Sequence, residues 1–240
     1  MLLDCHVHTS EHSPCSVMTA YKACATASAA GLDAMALTDH HYLAGQAEID
    51  ALMRHFPGLR LYPGIEVTVA EGFDMVVLTP RGASPATEFR PRPFLGLDEL
   101  ERQLRPMRDD CFLFVAHPFR YQDRRTADLE SVLAFADGVE VNSINILKTK
   151  PTWNNGQAQP ANAELYEQAA RDFDLVRLTN TDAHQENALG CLANSLPGQP
   201  PAEPAELNHL LRTTPPQPHQ NPERLKKILG KSGFLSLFGL

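Results

Sequence analysis

The stretch DCHVHTSEHSPCS, residues 4–16, gathers three histidines, an aspartate and a glutamate. His6 and His8 are two residues apart, and alternate side chains of an extended strand share a face, so both imidazoles can reach one ion. Asp182-Ala183-His184 repeats the spacing with a carboxylate and an imidazole. Between these ends lie Asp39-His40-His41, Glu66, His117, and Glu140 with Asn142. Nitrogen and oxygen donors of this mix suit Zn²⁺, Mn²⁺ or Fe²⁺ better than Ca²⁺ or a thiolate cluster metal. The donors outnumber the needs of one ion. They point to two or three divalent ions, with a carboxylate such as Glu66 bridging. Close metal pairs serve in-line displacement at phosphorus. Arg120 is placed to fork onto a phosphate, with Lys148 a second candidate for the same substrate-binding role. Asp182 or His184 could carry the proton to a leaving group. Each residue also has a plain structural reading: Asp39 could cap a turn, His117-Pro118 could be a packed strand end, and Arg120 could be a surface arginine. Their joint placement at strand ends favours the functional reading.

That placement depends on the elements. Apolar runs at 1–5, 33–39, 59–67, 73–80, 111–118, 138–142 and 175–184 read as strands. Segments 18–30, 45–56, 97–107, 126–136 and 160–173 read as helices, with Gly31 at a C-terminal cap and Pro106 ending or bending the third. Residues 143–159 read as a polar loop. Strands alternating with helices imply βαβ units and a mainly parallel sheet. Seven strands favour a closed or nearly closed barrel, with an open doubly wound sheet as the alternative. Most of the candidates fall at or after the C-terminal end of a strand, and in a parallel barrel these ends open on one face. Strand parity sets Asp4 beneath the two histidines and Cys5 on the other side, in packing.

Past Pro197 the composition becomes Pro-rich, around helix candidates at 205–212 and 222–229. The expected organisation is a catalytic body over 1–196 and an extension over 197–240 packed on it. The closing FLSLFGL is apolar and suited to packing on the body or a partner. A net charge of −8 argues against a surface for long duplex nucleic acid. The start leaves no room for a signal peptide, no apolar run is long enough to span a membrane, and five scattered cysteines form no framework. A reduced, cytoplasmic setting is expected. The oligomeric state is not legible.

In order, DCHVHT, LTDHH, GIEV, AHPFR, GVEVN and TNTDAH resemble the polymerase and histidinol phosphatase (PHP) domain family over about residues 1–195. The resemblance implies a distorted (β/α)7, TIM-like barrel and a phosphoesterase with a di- or trinuclear site. It implies that His6, His8, Glu66 and Asp182 hold a first metal, that Glu66 bridges to a second held by His117, and that His40 and His184 hold a third. The family adds a ligand after the first His-x-His, here Glu11 first and His12 second. Where many members have a histidine at strand four, this chain has Asp74, either a carboxylate ligand or a plain strand-start aspartate. The segment with Asn142 and Asn162 also resembles small bacterial members. The expected activity is hydrolysis of a small phosphorylated substrate, most simply a phosphomonoester, by a metal-bridging hydroxide attacking phosphorus. The rival readings are a nuclease or nucleotide phosphodiesterase on short oligonucleotides, and a non-catalytic metal-binding module.

Overall fold

The computed structural model describes residues 1–84, 89–149, 151–154 and 156–236, the last six in backbone only. Residues 237–240, the end of the apolar FLSLFGL, lie outside that description.

Seven strands circle the centre: β1 (Leu2–Val7), β2 (Ala34–Leu37), β3 (Arg60–Thr68), β4 (Asp74–Leu78), β5 (Phe112–Ala116), β6 (Gly138–Asn142) and β9 (Val176–Thr179). They neighbour one another in that order. The ring is drawn shut beyond β9, where Val7 bridges Ala183: His8 N–H donates to the Ala183 carbonyl (3.0 Å) and Ala183 N–H to that of His6 (3.3 Å). This is the expected distorted barrel. Its exception is β4, antiparallel to both β3 and β5. Only five residues join β3 to β4, and so short a connection permits only an antiparallel hairpin. The start of β4, Asp74, therefore lies level with the ends of its neighbours, opposite Thr68 and Ala116.

Helices α1 (Ala20–Ala29), α2 (Gln46–His55), α3 (Leu97–Leu104), α4 (Ala127–Phe135) and α6 (Ala163–Asp172) fall within the expected segments. Thr19 and Thr126 cap α1 and α4 by accepting from the backbone N–H three residues on. Gly31 takes the left-handed φ (82°) that follows α1. Pro106 ends α3, and a 3₁₀ turn runs to Asp110.

Three regions differ from the sequence reading. The expected loop 143–159 contains a short helix, α5 (Ile144–Leu147), whose Ile144, Ile146 and Leu147 are buried, and the hairpin strands β7 (Pro151–Asn154) and β8 (Gln157–Pro160). α5 is a single turn and the hairpin is polar, so neither carries a long periodic apolar run. Two further strands, β10 (Leu192–Ser195) and β11 (Gln217–Gln220), continue the sheet antiparallel from β1. β11, QPHQ, carries no apolar alternation, and its Pro218 is tolerated because the strand is an edge. Finally, β1 does not alternate strictly. Its register against β2 shifts between Asp4 and Val7, so Leu3 and Cys5 pack with Tyr62, Phe112 and Phe114 while Val7 packs toward α1 and α2.

After Pro197 come α7 (Pro204–Thr213) and α8 (Pro222–Ser236). Leu207 and Leu211 of α7 bury against the Phe112–Phe114 cluster, and α8, through Leu225, Ile228 and Leu229, packs on the turn at Glu186–Ala188 and on β8. Arg212 of α7 donates to the carbonyls of Asp109 (2.8 Å), Arg108 and Cys111 and to the Asp137 carboxylate (3.2 Å). Asp137 also accepts from Arg108 (2.9 Å) and Leu113 N–H (2.8 Å). Among the described residues no helix is long and apolar enough to cross a membrane. Replacing Asp137 by alanine strands these partly buried donors. The expected cost is about 1–3 kcal/mol, read as a lower urea midpoint; an unchanged midpoint would show that Asp137 does not anchor α7.

Candidate metal centre

The closure between Val7 and Ala183 brings the two ends of the sequence together. His6 and His8 of β1 and its exit meet Asp182 and His184, with His40, Glu66 and His117 from β2, β3 and β5 completing the ring. Three sets of donor atoms lie within 4.8 Å of one another: His6, His8 and Asp182; His6, Glu66 and His117; His8, His40 and His184. These are the seven residues that the strand-end pattern and the resemblance select together.

The hydrogen bonds behind the ring fix which nitrogens face it. The Ser13 hydroxyl gives its proton to Asp39 (2.7 Å), so at His8 Nδ1 (3.3 Å) it accepts, and His8 Nε2 carries the lone pair. His6 Nδ1–H donates to Glu140 (3.1 Å), which leaves Nε2 as its free nitrogen. The two Nε2 atoms are 3.0 Å apart. Around them Glu66 is wholly buried, and neither of its oxygens receives a hydrogen bond. Yet His40 Nδ1 lies 3.0 Å away, His8 Nε2 3.2 Å, and His6 and His117 Nε2 3.4 Å. Facing lone pairs beside an orphaned carboxylate are unfavourable unless positive charge, a proton on the imidazoles or a metal ion that displaces it, sits between them. The donor set fits divalent metal of the Zn, Mn or Fe type.

Electrostatics agree. Burial pushes the Glu66 carboxyl up, but His6, His117 and His8 override it and hold it well below the usual range. Asp182 is likewise held low: burial raises it, and His6, His8 and His117 pull it down further. Burial lowers His8, but Asp182 and Glu66 lift it to about 9. Burial carries His40 and His184, nearer the rim, below their ordinary value.

A second layer holds these groups. Glu140 accepts from His6, from Asn180 Nδ2 (3.0 Å) and from His117 N–H (3.3 Å). Asn145 of α5 donates to Asp182 Oδ2 at 2.6 Å. Asp39 accepts from Thr9 N–H (2.6 Å) and hydroxyl (2.7 Å) as well as from Ser13. Asp4 takes the Thr181 hydroxyl and N–H, and burial lifts its carboxyl to about 7. His41 (φ 55°), His117 (34°) and Asp182 (50°) all adopt left-handed backbone, strain of the kind that collects where side chains are aimed.

The remaining candidates are placed differently. Glu11 is turned to the start of α1, where its oxygens accept from Ala20 N–H at 3.0 and 3.1 Å. It belongs to none of the three donor sets. A carboxylate is stabilised by the positive end of a helix, which competes with any ligand role. His12 stacks on Tyr42 (ring centroids 3.5 Å apart), with Nε2 3.4 Å from Glu48. Asp74 accepts from the Thr68 hydroxyl (2.6 Å) and lines a cleft of about 200 Å³ beside His117, outside the three sets. Arg120 follows His117 in a tight turn, its guanidinium 4.7 Å over the Tyr121 ring and its Nε buried without a partner. Lys148 ends α5 with Nζ 3.5 Å from Asn145 Oδ1, the amide that also holds Asp182. Burial lowers its ammonium, Asp182 acting against this and Arg120 with it.

Sequence reasoning assigned no role to Asn145, Ser13 or Asn180. Their signal was faint: single polar residues in stretches read as loop or strand end. Glu140 was noted at a strand end without its part in holding His6.

A family model described as PHP domain matches residues 4–190. The chain belongs to the PHP domain family. Among solved structures it is similar to PsfC from Pseudomonas syringae PB-5123, at 17% identity and a TM-score of 0.63, covering 100% of this chain and 98% of that one. An amidohydrolase from Chromobacterium violaceum with bound sulfate and no metal aligns at 17% identity and a TM-score of 0.52, covering 81% of this chain and 92% of that one. A two-domain Bacteroides vulgatus protein, containing a predicted PHP-like metal-dependent phosphoesterase, aligns at 16% identity and a TM-score of 0.54, covering 78% of this chain and 52% of its own. At these identities the likeness is one of fold. No curated protein matches the sequence.

His8→Ala is expected to lose bound metal, measured by elemental analysis, with an unchanged circular dichroism spectrum. Full metal content would remove His8 from the PHP site. Because metal must displace protons from His6 and His8, Mn²⁺ affinity should fall as pH drops from about 8 to about 6, with protons released on binding. Calorimetry in buffers of different ionisation enthalpy reads that release, and a proton-independent affinity would contradict it.

Proposed function

We propose that the chain is a metal-dependent phosphoesterase acting on a small phosphorylated substrate, a phosphomonoester. The observation that carries this reading is the buried, unbonded Glu66 carboxylate ringed by imidazole nitrogens, with Arg120 on the turn that begins at His117 and Lys148 tied through Asn145 to Asp182. Two or three divalent ions would be held by His6, His8, His40, Glu66, His117, Asp182 and His184. Bound there, such ions supply an activated water and neutralise charge gathering on phosphoryl oxygens.

The chain's own residues do the rest. Glu140 and Ser13 set the tautomers of His6 and His8, so that their Nε2 atoms face the site. Arg120 has a buried Nε–H with no protein acceptor, a donor available to a phosphate oxygen. Lys148, tethered through Asn145 to Asp182, offers a second cation to the same group. Proton delivery to the departing alcohol falls to Asp182 or His184. Asp74 and Tyr121 line the cleft next to His117, open to the part of the substrate beyond phosphorus. The net charge of −8 favours a small substrate over long duplex nucleic acid. Five cysteines without a disulfide support a reducing, cytoplasmic setting.

The test compares p-nitrophenyl phosphate with bis-p-nitrophenyl phosphate on the Mn²⁺-loaded protein. Faster hydrolysis of the monoester is expected. A preference for the diester would favour a nuclease or nucleotide phosphodiesterase, and no hydrolysis of either, with metal bound, would favour a non-catalytic module. Arg120→Ala should lower kcat/KM for the monoester by roughly tenfold to a hundredfold, the range for loss of a charged hydrogen bond.

A further inference from the structure

We infer that Asn162 is a positioning residue for Arg120, acting through the backbone of Phe119. The inference rests on the reading of Arg120 as the phosphate grip. The guanidinium has little to orient it by itself: Nε has no partner, and the described contact is stacking on Tyr121. Its aim is therefore set by the backbone that carries it. That backbone is a turn beginning at His117, whose carbonyl accepts from Arg120 N–H at 3.0 Å.

Helix α6 grips the residue just before the arginine in two places. The Asn162 side-chain amide donates to the Phe119 carbonyl at 3.1 Å, across 43 residues of sequence. One turn further on, Tyr166 meets the buried Phe119 ring edge-on, with centroids 5.0 Å apart and planes at 87°. The same loop is tied again to α6 where Arg125 pairs with Asp172 at 2.6 Å.

The local cost identifies Asn162 as more than a helix start. It stands at the N-cap of α6, where an asparagine ordinarily accepts from the first-turn N–H groups. Here it makes no capping bond. A side chain suited to stabilising its own helix is turned instead to the Phe119 carbonyl, and a broken local rule of this kind is what a positioned site predicts.

Capping and positioning can be separated by substitution. Asn162→Asp keeps the shape and is a good N-cap, but a carboxylate cannot donate to a carbonyl. Asn162→Ala removes both properties. The experiment measures KM and kcat for p-nitrophenyl phosphate on the Mn²⁺-loaded full chain, inorganic phosphate affinity by calorimetry, metal content and Tm. Both variants are expected to weaken phosphate binding and raise KM by roughly tenfold, with kcat changed less and metal content unchanged. Asn162→Asp should do so without loss of Tm. In an Arg120→Ala background, Asn162→Ala should have no further effect on phosphate affinity. Wild-type phosphate affinity in Asn162→Asp, or additive losses in the double variant, would overturn the inference. Phosphate binding needs no turnover. A wild-type protein that binds phosphate but hydrolyses nothing would therefore sink the phosphoesterase reading and leave the calorimetric test of Asn162 standing.

Discussion

A wholly buried carboxylate, Glu66, faces four imidazoles at hydrogen-bonding range and accepts a hydrogen bond from none of them. Such a group is tolerable inside a protein only where positive charge is supplied to it. Much of the neighbouring structure can be understood as holding that charge centre in shape. Glu140, Ser13, Asp39 and Asn145 each use their hydrogen bonds to turn or steady a donor toward the ring. Left-handed backbone at His41, His117 and Asp182 adds strain that the closed sheet must resist. A donor set held in place by its neighbours in this way would lose little in ordering on taking up an ion.

The barrel provides this rigidity by a division of labour along each strand. The lower halves carry close-packed residues such as Tyr62, Val76, Phe112 and Phe114, all buried. The upper ends carry the polar ring. The reversal of β4 preserves the pattern, because its beginning rather than its end stands at the polar rim. Two cations lie near this ring, Arg120 on the turn that begins at His117 and Lys148 at the end of α5.

Much of the ring could be read from sequence because its logic is local. Two-residue spacing in His6-Val7-His8 and Asp182-Ala183-His184 marks a shared face, and apolar runs mark the strands that deliver them. The resemblance names Glu11, with His12 second, as an added ligand; a motif reports position along the chain, and it does not report that the Glu11 carboxylate accepts from the Ala20 N–H at the start of α1. The edge strand β11 and the hairpin β7–β8 were hidden because such strands need no apolar alternation, and β10, paired on both sides between β1 and β11, is only four residues long. Asn145 and Asn162 were illegible as actors. Their roles are defined by partners 37 and 43 residues away, and nothing in their neighbours announces those contacts.

The bridge between Val7 and Ala183 also has a meaning in time. The first candidate donors of the chain, His6 and His8, and the last, Asp182 and His184, are separated by nearly the whole family match over residues 4–190, and neither end completes a donor set with its own neighbours. Contacts of such long sequence separation are slow to form, because the loop they close must first lose its freedom. Two of the three donor sets, those with Asp182 and with His184, are therefore complete only once the final barrel strand is docked on the first. An ion held by either of those two sets would report a finished barrel: an open chain has the residues but not their geometry, and such an ion would stabilise only the closed form.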